Sequence, residues 1–145
     1  MRYFTGGNFG RVYILRLDAG DDVLGCINAF IEKEGIKQAA VLSAIGTLSH
    51  CVLHMVMTTG YPPVEHFARW EDKPLELASI SGIIADGTPH LHTVVSDEKR
   101  AYAGHLEPGC KILYLGEIVI AELTGADVRR VRNGKGIWEL QCLTV

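Results

Sequence analysis

Two histidines separated by one residue, His90 and His92, with a third at His105, are the side chains of this sequence best suited to chemistry. A neutral imidazole binds divalent transition metals through a ring nitrogen. Three of them leave a fourth position for water or substrate, which is the pattern of catalytic zinc sites more than of closed structural ones. On a β-strand alternate side chains face the same way, so His90 and His92 project together while Leu91 turns to the opposite face. The polar run Ser96-Asp97-Glu98-Lys99-Arg100 turns the chain back, and a hairpin centred between Glu98 and Lys99 sets His92 directly opposite His105. Cross-strand Cβ atoms lie roughly 4.5 to 5.5 Å apart and imidazole nitrogens bind zinc at roughly 2.0 to 2.1 Å, so three rings can converge on one ion. Gly104 beside His105 leaves space for that approach. With six histidines in the chain a His-x-His pair also arises by chance, and the alternative is a set of surface or hydrogen-bonded core histidines with no metal.

Glu117 interrupts the apolar segment Ile112 to Ile120, where a buried carboxylate is expensive without a partner. Either a metal or metal-bound water supplies that partner, or Glu117 faces a polar side of the sheet or pairs with an arginine at a subunit contact. His66, in a stretch read as a long loop, is the candidate to swing over the site as a further ligand or proton donor. His50 and His54 share one strand face at twice the spacing and read as half-buried polar side chains. Arg69 and Asp86 are weaker candidates for substrate charge and outer support. Gly6, Gly7 and Gly10 precede a strand rather than a helix, which argues against a phosphate cradle. Arg129, Arg130, Arg132 and Lys135 form the one dense basic patch, either a contact for phosphates or an acidic partner, or the solvated outer face of a hairpin.

The elements that must position these residues follow from periodicity. Arg11 to Leu17 reads as a strand. Val23, Leu24, Ile27, Phe30 and Ile31 make one apolar helical stripe, entered through Asp21 and Asp22 and stopped at Gly35. Ala39 to Gly46 and Ser49 to Met57 read as two strands joined by a brief turn, and Thr59 to Pro74 as a long loop. Strands resume at Leu75 to Asp86, His90 to Ser96, Tyr102 to Leu106 and Lys111 to Leu123, before a hairpin over 126–145 turned at Asn133-Gly134. One helix and about seven strands define a single α+β domain over residues 1–145, with a largely antiparallel sheet and no repeat or linker.

A length of 145 residues favours one core. Apolar residues at 48% against 21% charged exceed what so small a core can hide, so part of the excess is expected to meet another subunit. The net charge of -3 offers no global attraction to nucleic acid. The four cysteines form no Cys-x-x-Cys pair and read as buried thiols of a reducing compartment. No apolar leader opens the chain and no membrane span is evident, so a cytoplasmic location is expected.

Arg16-Leu17-Asp18-Ala19-Gly20-Asp21-Asp22-Val23-Leu24 and Leu42-Ser43-Ala44-Ile45-Gly46-Thr47-Leu48 resemble the helix entry and following strand of the plants and prokaryotes conserved (PPC) domain. Ser79-Ile80-Ser81-Gly82, Pro89-His90-Leu91-His92, Gly104-His105-Leu106 and Glu117-Ile118-Val119-Ile120 match that family in order and rough spacing, over about residues 10 to 124. The resemblance implies a barrel-like α+β domain that assembles as a homotrimer, with the metal, most simply zinc, on His90, His92 and His105. The architecture is similar to acetolactate decarboxylase, which also holds zinc on a His-x-His pair and a later histidine. A metal-dependent lyase acting on a small carboxylate or keto compound is the leading expectation, with Glu117 or His66 moving a proton. The rival is a non-catalytic oligomerisation or DNA-associated module. Plant members carry an Arg-Gly-Arg-Pro segment that enters the DNA minor groove, and this chain has none.

Overall fold

Residues 1–4 and 7–142 are described by a computed structural model. Gly6 and the last three residues of the expected C-terminal hairpin lie outside the described residues. The chain forms β1 (Asn8–Asp18), α1 (Val23–Glu34), β2 (Gln38–Val56), β3 (Glu65–Trp70), β4 (Leu75–Ala85), β5 (Thr88–Ser96), β6 (Ala101–Leu106), β7 (Lys111–Thr124), β8 (Val128–Arg132) and β9 (Trp138–Cys142). The strands of the main sheet run antiparallel in the order β1-β7-β2-β4-β5-β6, with β3 added to β2. β2 also pairs with β6, so the path β2-β4-β5-β6 returns to its starting strand. β8 and β9 form a separate ribbon. The α+β class, with one helix on a mostly antiparallel sheet, is as the sequence predicts.

The helix starts where Asp22 accepts a hydrogen bond from the Gly25 N–H at 2.9 Å, and stops where Gly35 takes φ 65°, a left-handed conformation that costs a residue without Cβ little. Its buried stripe of Val23, Ile27 and Ile31 packs with Leu17, Ile112, Ile118 and Ile120 of the sheet in one core. Tyr13 and Phe30 meet edge to face, ring centres 4.8 Å apart, at the rim. Cys51 and Cys110 are buried and reduced, their Sγ atoms 3.9 Å apart, while Cys26 and Cys142 are only half-buried. No helix among the described residues is long and apolar enough to cross a membrane.

Three expectations need correction. The predicted strands on either side of Gly46 are one continuous 19-residue β2. Its register shifts at three places, which lets a single strand bend enough to serve β4 and β7 with one half and β3 and β6 with the other. Gly46 permits this because a Cβ there would stand 2.5 Å from the Leu115 carbonyl oxygen. The predicted loop at 59–74 contains β3, stabilised by the backbone edge that β2 presents. In the C-terminal hairpin the strands close over residues 133–137, where the Asn133 N–H donates to the Ile137 carbonyl.

The register of β5 and β6 sets the histidines, and Asp97 pins it. Its carboxylate accepts from the Lys99 and Arg100 N–H groups, each at 2.9 Å, from the Tyr102 hydroxyl at 3.1 Å, and from the Lys73 ammonium. Lys73, and then the two turn amides, hold the Asp97 pKa well below the usual carboxylate range. A depressed folded pKa stabilises the fold fully above the unfolded value near 4, and that contribution is lost as the pH falls toward the folded value. Asp97→Asn is therefore expected to lower the thermal midpoint at pH 7, and the gap to wild type to narrow between about pH 4 and pH 2. Circular dichroism melts across this range check it, and a gap of constant size would contradict it.

Candidate metal centre

Register carries one residue from each of five adjacent strands into a row: Ser81 of β4, His92 of β5, His105 of β6, His54 of β2 and Phe67 of β3. Directly opposed residues share a face, so three imidazoles stand side by side on the face away from the core. His90 stands two residues from His92 on that same face, and Leu91 between them is buried.

The rings of His90 and His92 lie 5.3 Å apart between centres, His90 and His105 5.1 Å, and His92 and His105 5.6 Å. The Nε2 atoms of His90 and His92 approach to 3.3 Å. Two ligands on zinc arms of roughly 2.0 to 2.1 Å at a tetrahedral angle stand about 3.3 to 3.4 Å apart, so this pair has the spacing of a tetrahedral edge. Both residues keep contact with solvent, yet their nitrogens sit among other rings. Burial, then repulsion from Arg130, His105 and His92, lowers the His90 pKa to about 4. Burial followed by His105 and His54 lowers that of His92. Both rings are then neutral at pH 7, the form that ligates metal.

Glu107 lies 2.9 Å from Nδ1 of His105. A carboxylate there holds the proton on Nδ1 and leaves the Nε2 lone pair free to ligate. Glu107 is also 3.6 Å from Nδ1 of His54, whose ring stacks on Phe67 at 4.8 Å and 9°. His54, His105 and Glu107 thus bring ligand atoms within 4.8 Å of one another, the arrangement among the described residues with the spacing to hold a cation. Glu107 is engaged by His105 Nδ1, and His90 and His92 turn their Nε2 atoms toward each other. Glu107→Gln is expected to weaken zinc binding roughly 10- to 100-fold while the histidines stay in place. Competition with a chromophoric chelator measures it, and an unchanged affinity would remove Glu107 from the centre.

The sequence reading set His54 aside as a half-buried polar side chain and passed over Glu107. Glu107 carried a readable signal, since it follows His105 by two residues and so shares its face. His54 enters only through the pairing of β2 with β6, which no local pattern shows.

Glu117 and His66 lie elsewhere. Glu117 is exposed on β7, opposite Arg16 on one side and Ile45 on the other. It pairs with Ile45 of β2, nine residues along that strand from the His54 that faces His105, so within one chain it does not join the histidines. His66 is held in β3 opposite Met55, not in a loop, and strand alternation gives the histidine face to Phe67 instead. Arg69, two residues beyond Phe67, shares that face at the sheet edge.

A cavity of about 590 Å³ opens beside the rings, walled by His90 and His105, by Asp86, Thr88 and Pro89 around the β4–β5 turn, and by Arg129, Arg130, Val131 and Trp138 of the hairpin. The basic patch is thus not simply a solvated outer face. Arg129 pairs with Asp86 at 3.5 Å, Arg132 lies 4.9 Å from the Trp138 ring centre, and Arg130 turns into the cavity wall.

A single helix on a bent antiparallel sheet, with histidines gathered on its outer face, defines a small domain of recognisable class. The chain belongs to the Plants and Prokaryotes Conserved (PCC) domain family, whose model matches residues 4–124. It is 36% identical over 113 residues to the bifunctional protein GlmU of Synechococcus sp. (strain JA-3-3Ab), covering 77% of this chain and only 17% of that protein. A hypothetical protein from Salmonella cholerae-suis has the same fold at 27% identity, TM-score 0.82 and 97% coverage of both chains. A metal-containing protein from Archaeoglobus fulgidus matches at 26% identity and TM-score 0.77, over 96% of this chain and 99% of that one. A Bacteroides thetaiotaomicron protein described as a candidate DNA-binding protein (20% identity) and a Staphylococcus aureus protein described as similar to alpha-acetolactate decarboxylase (18%, TM-score 0.50) share the fold, and at such identity the likeness shows the fold alone.

Proposed function

We propose that His90, His92 and His105 hold a divalent metal, most simply zinc, and that the domain acts on a small carboxylate or keto compound at the open side of that ion. The observation that carries this reading is the 3.3 Å approach of the His90 and His92 nitrogens, with His105 presented by Glu107 beside them. The metal-containing relative from Archaeoglobus fulgidus supports it. Bound there, zinc supplies a Lewis acid that polarises a substrate oxygen. The chain's own part is to keep the rings of His90 and His92 neutral, to fix the tautomer of His105 through Glu107, and to offer a cavity on one side of the rings for a small molecule.

The same reading includes assembly as a homotrimer with a barrel-like sheet in each subunit. Its support is the exposure of Val12 and Ile14 on β1, Leu42 and Ile45 on β2, and Tyr114 and Leu115 on β7, Ile14 at 81% and Tyr114 at 72%. An apolar surface of this extent is costly in water unless a partner covers it. Native mass spectrometry with elemental analysis tests both parts. The expected result is a particle of three 15.9 kDa chains with about one zinc per chain. A metal-free monomer after growth in zinc-supplied medium would overturn both.

DNA binding is the second reading, and the arginines of β8 at Arg129, Arg130 and Arg132 are what favour it. The net charge of -3 and the engagement of Arg129 with Asp86 weigh against it. Salt-dependent retention on duplex DNA, lost on replacing Arg129, Arg130 and Arg132 by alanine, would restore it.

A further inference from the structure

The C-terminal hairpin begins at Val128, beyond the 4–124 segment that defines the family, and builds one wall of the cavity beside His90 and His105. It is anchored there by the buried Gln38, whose side-chain amide donates to the Val128 carbonyl at 2.9 Å. That wall carries Arg129, Arg130 and Trp138, with Arg132 behind it on the hairpin. Arg129 is neutralised by Asp86, and Arg132 lies over Trp138. Arg130 is half-buried, its Nε is out of solvent, and it has no hydrogen-bond or ion-pair partner among the described residues. Burial pulls its pKa below the ordinary arginine value, and its charge reaches His90.

A half-buried guanidinium whose Nε has neither water nor an acceptor is a cost that a fold does not keep for stability. Its fork of donors is shaped for a planar anion. Apart from Thr88, Asp86 and the two histidines, the rest of the wall is apolar or aromatic: Ala85, Pro89, Val131 and Trp138. The volume, about 590 Å³, is that of a small-molecule pocket. Since Asp86 pairs with Arg129, the hairpin residues that line the cavity contribute one uncompensated positive charge, that of Arg130, which a singly charged carboxylate matches better than a doubly charged phosphate.

We infer that Arg130 is an anion anchor in a ligand site completed by the C-terminal hairpin, and that the ligand is a small organic carboxylate with an apolar or aromatic body packed on Val131 and Trp138. The carboxylate lies on Arg130, and the body's other polar end is turned toward His90 and His105. This deepens the metal-centre reading and rests on it for the position of that second end; the anchor itself requires no metal.

The test is isothermal titration calorimetry of the full chain, both zinc-loaded and chelator-stripped, with phenylpyruvate, phenyl phosphate and acetophenone as probes. Phenylpyruvate is expected to bind both forms, more tightly than phenyl phosphate, and acetophenone not measurably. Arg130→Met is expected to weaken phenylpyruvate roughly 10- to 100-fold, the loss of a charge-assisted hydrogen-bonded pair, while Lys135→Gln in the exposed turn leaves it unchanged. The thermal midpoint of Arg130→Met separates anchor from scaffold: it stays level or rises if Arg130 serves a ligand. A fall of many degrees, or binding equal to wild type, overturns the inference. Tighter phenyl phosphate binding overturns the carboxylate assignment. Zinc on the histidines with no probe bound sinks the anchor alone, and Arg130-dependent binding in a chain that takes no zinc sinks the metal reading alone.

Discussion

Replacing His92 by alanine is expected to reduce bound zinc from about one per chain to a trace, and to abolish the response of the protein's stability to chelators. The size follows from linkage. A ligand that binds only the folded state, free at 1,000 times its dissociation constant, stabilises by about 4 kcal/mol. For a domain of this length that corresponds to a midpoint about 10 °C higher with zinc than without. His92 sits between His90 on its own strand and His105 across the ladder. Its loss leaves one imidazole on each of two strands, and the affinity should fall well beyond the roughly 10- to 100-fold cost of losing an outer hydrogen-bond partner such as Glu107. Differential scanning calorimetry with and without chelator reads the result. A His92→Ala variant with an undiminished chelator response would place the ion elsewhere.

The second large effect is expected at Gly82. This residue of β4 stands opposite Leu91 with φ 144°, and a Cβ on it would lie 2.1 Å from the His90 carbonyl oxygen. Gly82→Ala therefore combines left-handed strain, about 1 to 3 kcal/mol, with a backbone clash that only movement of β5 relieves. The expected cost is about 2 to 4 kcal/mol, accompanied by weaker zinc binding because His90 moves with the displaced strand. Gly20 provides the comparison. It has φ 91°, but a Cβ added there would meet nothing within 4 Å, so Gly20→Ala should show the strain alone and normal zinc binding. Denaturant melts and zinc titration of both variants check this, and a Gly82→Ala protein with wild-type affinity would show that β4 does not hold His90 in place.

How much of this was legible in the sequence depends on how local the cause is. The β5–β6 register was readable because Ser96 to Arg100 is a polar turn between two patterned strands, and it places His92 opposite His105 as the sequence predicts. The helix was readable from its stripe and from Gly35. The continuity of β2 was not, because it depends on how closely Gly46 approaches the Leu115 carbonyl on another strand. β3 was hidden by the prolines and glycine around it, and forms because an edge of β2 needs hydrogen-bond partners. The same long-range causes explain the misplaced site residues. Glu117 interrupts an apolar run, yet its side of β7 faces solvent. Arg130 reads from sequence as one of several surface cations, and only docking of the hairpin through Gln38 turns it toward the histidines.

The positions of the rings also bear on the choice between the two cation arrangements. The three-histidine set and the His54–His105–Glu107 set share His105 and differ in which of its ring nitrogens faces the ion. An anomalous difference map at the zinc absorption edge, from crystals grown with zinc, separates them. One peak per chain is expected, roughly 2.0 to 2.1 Å from a nitrogen of each of His90, His92 and His105. A peak between His54 and Glu107 with His90 and His92 unligated, or no peak at all, would contradict a three-histidine centre.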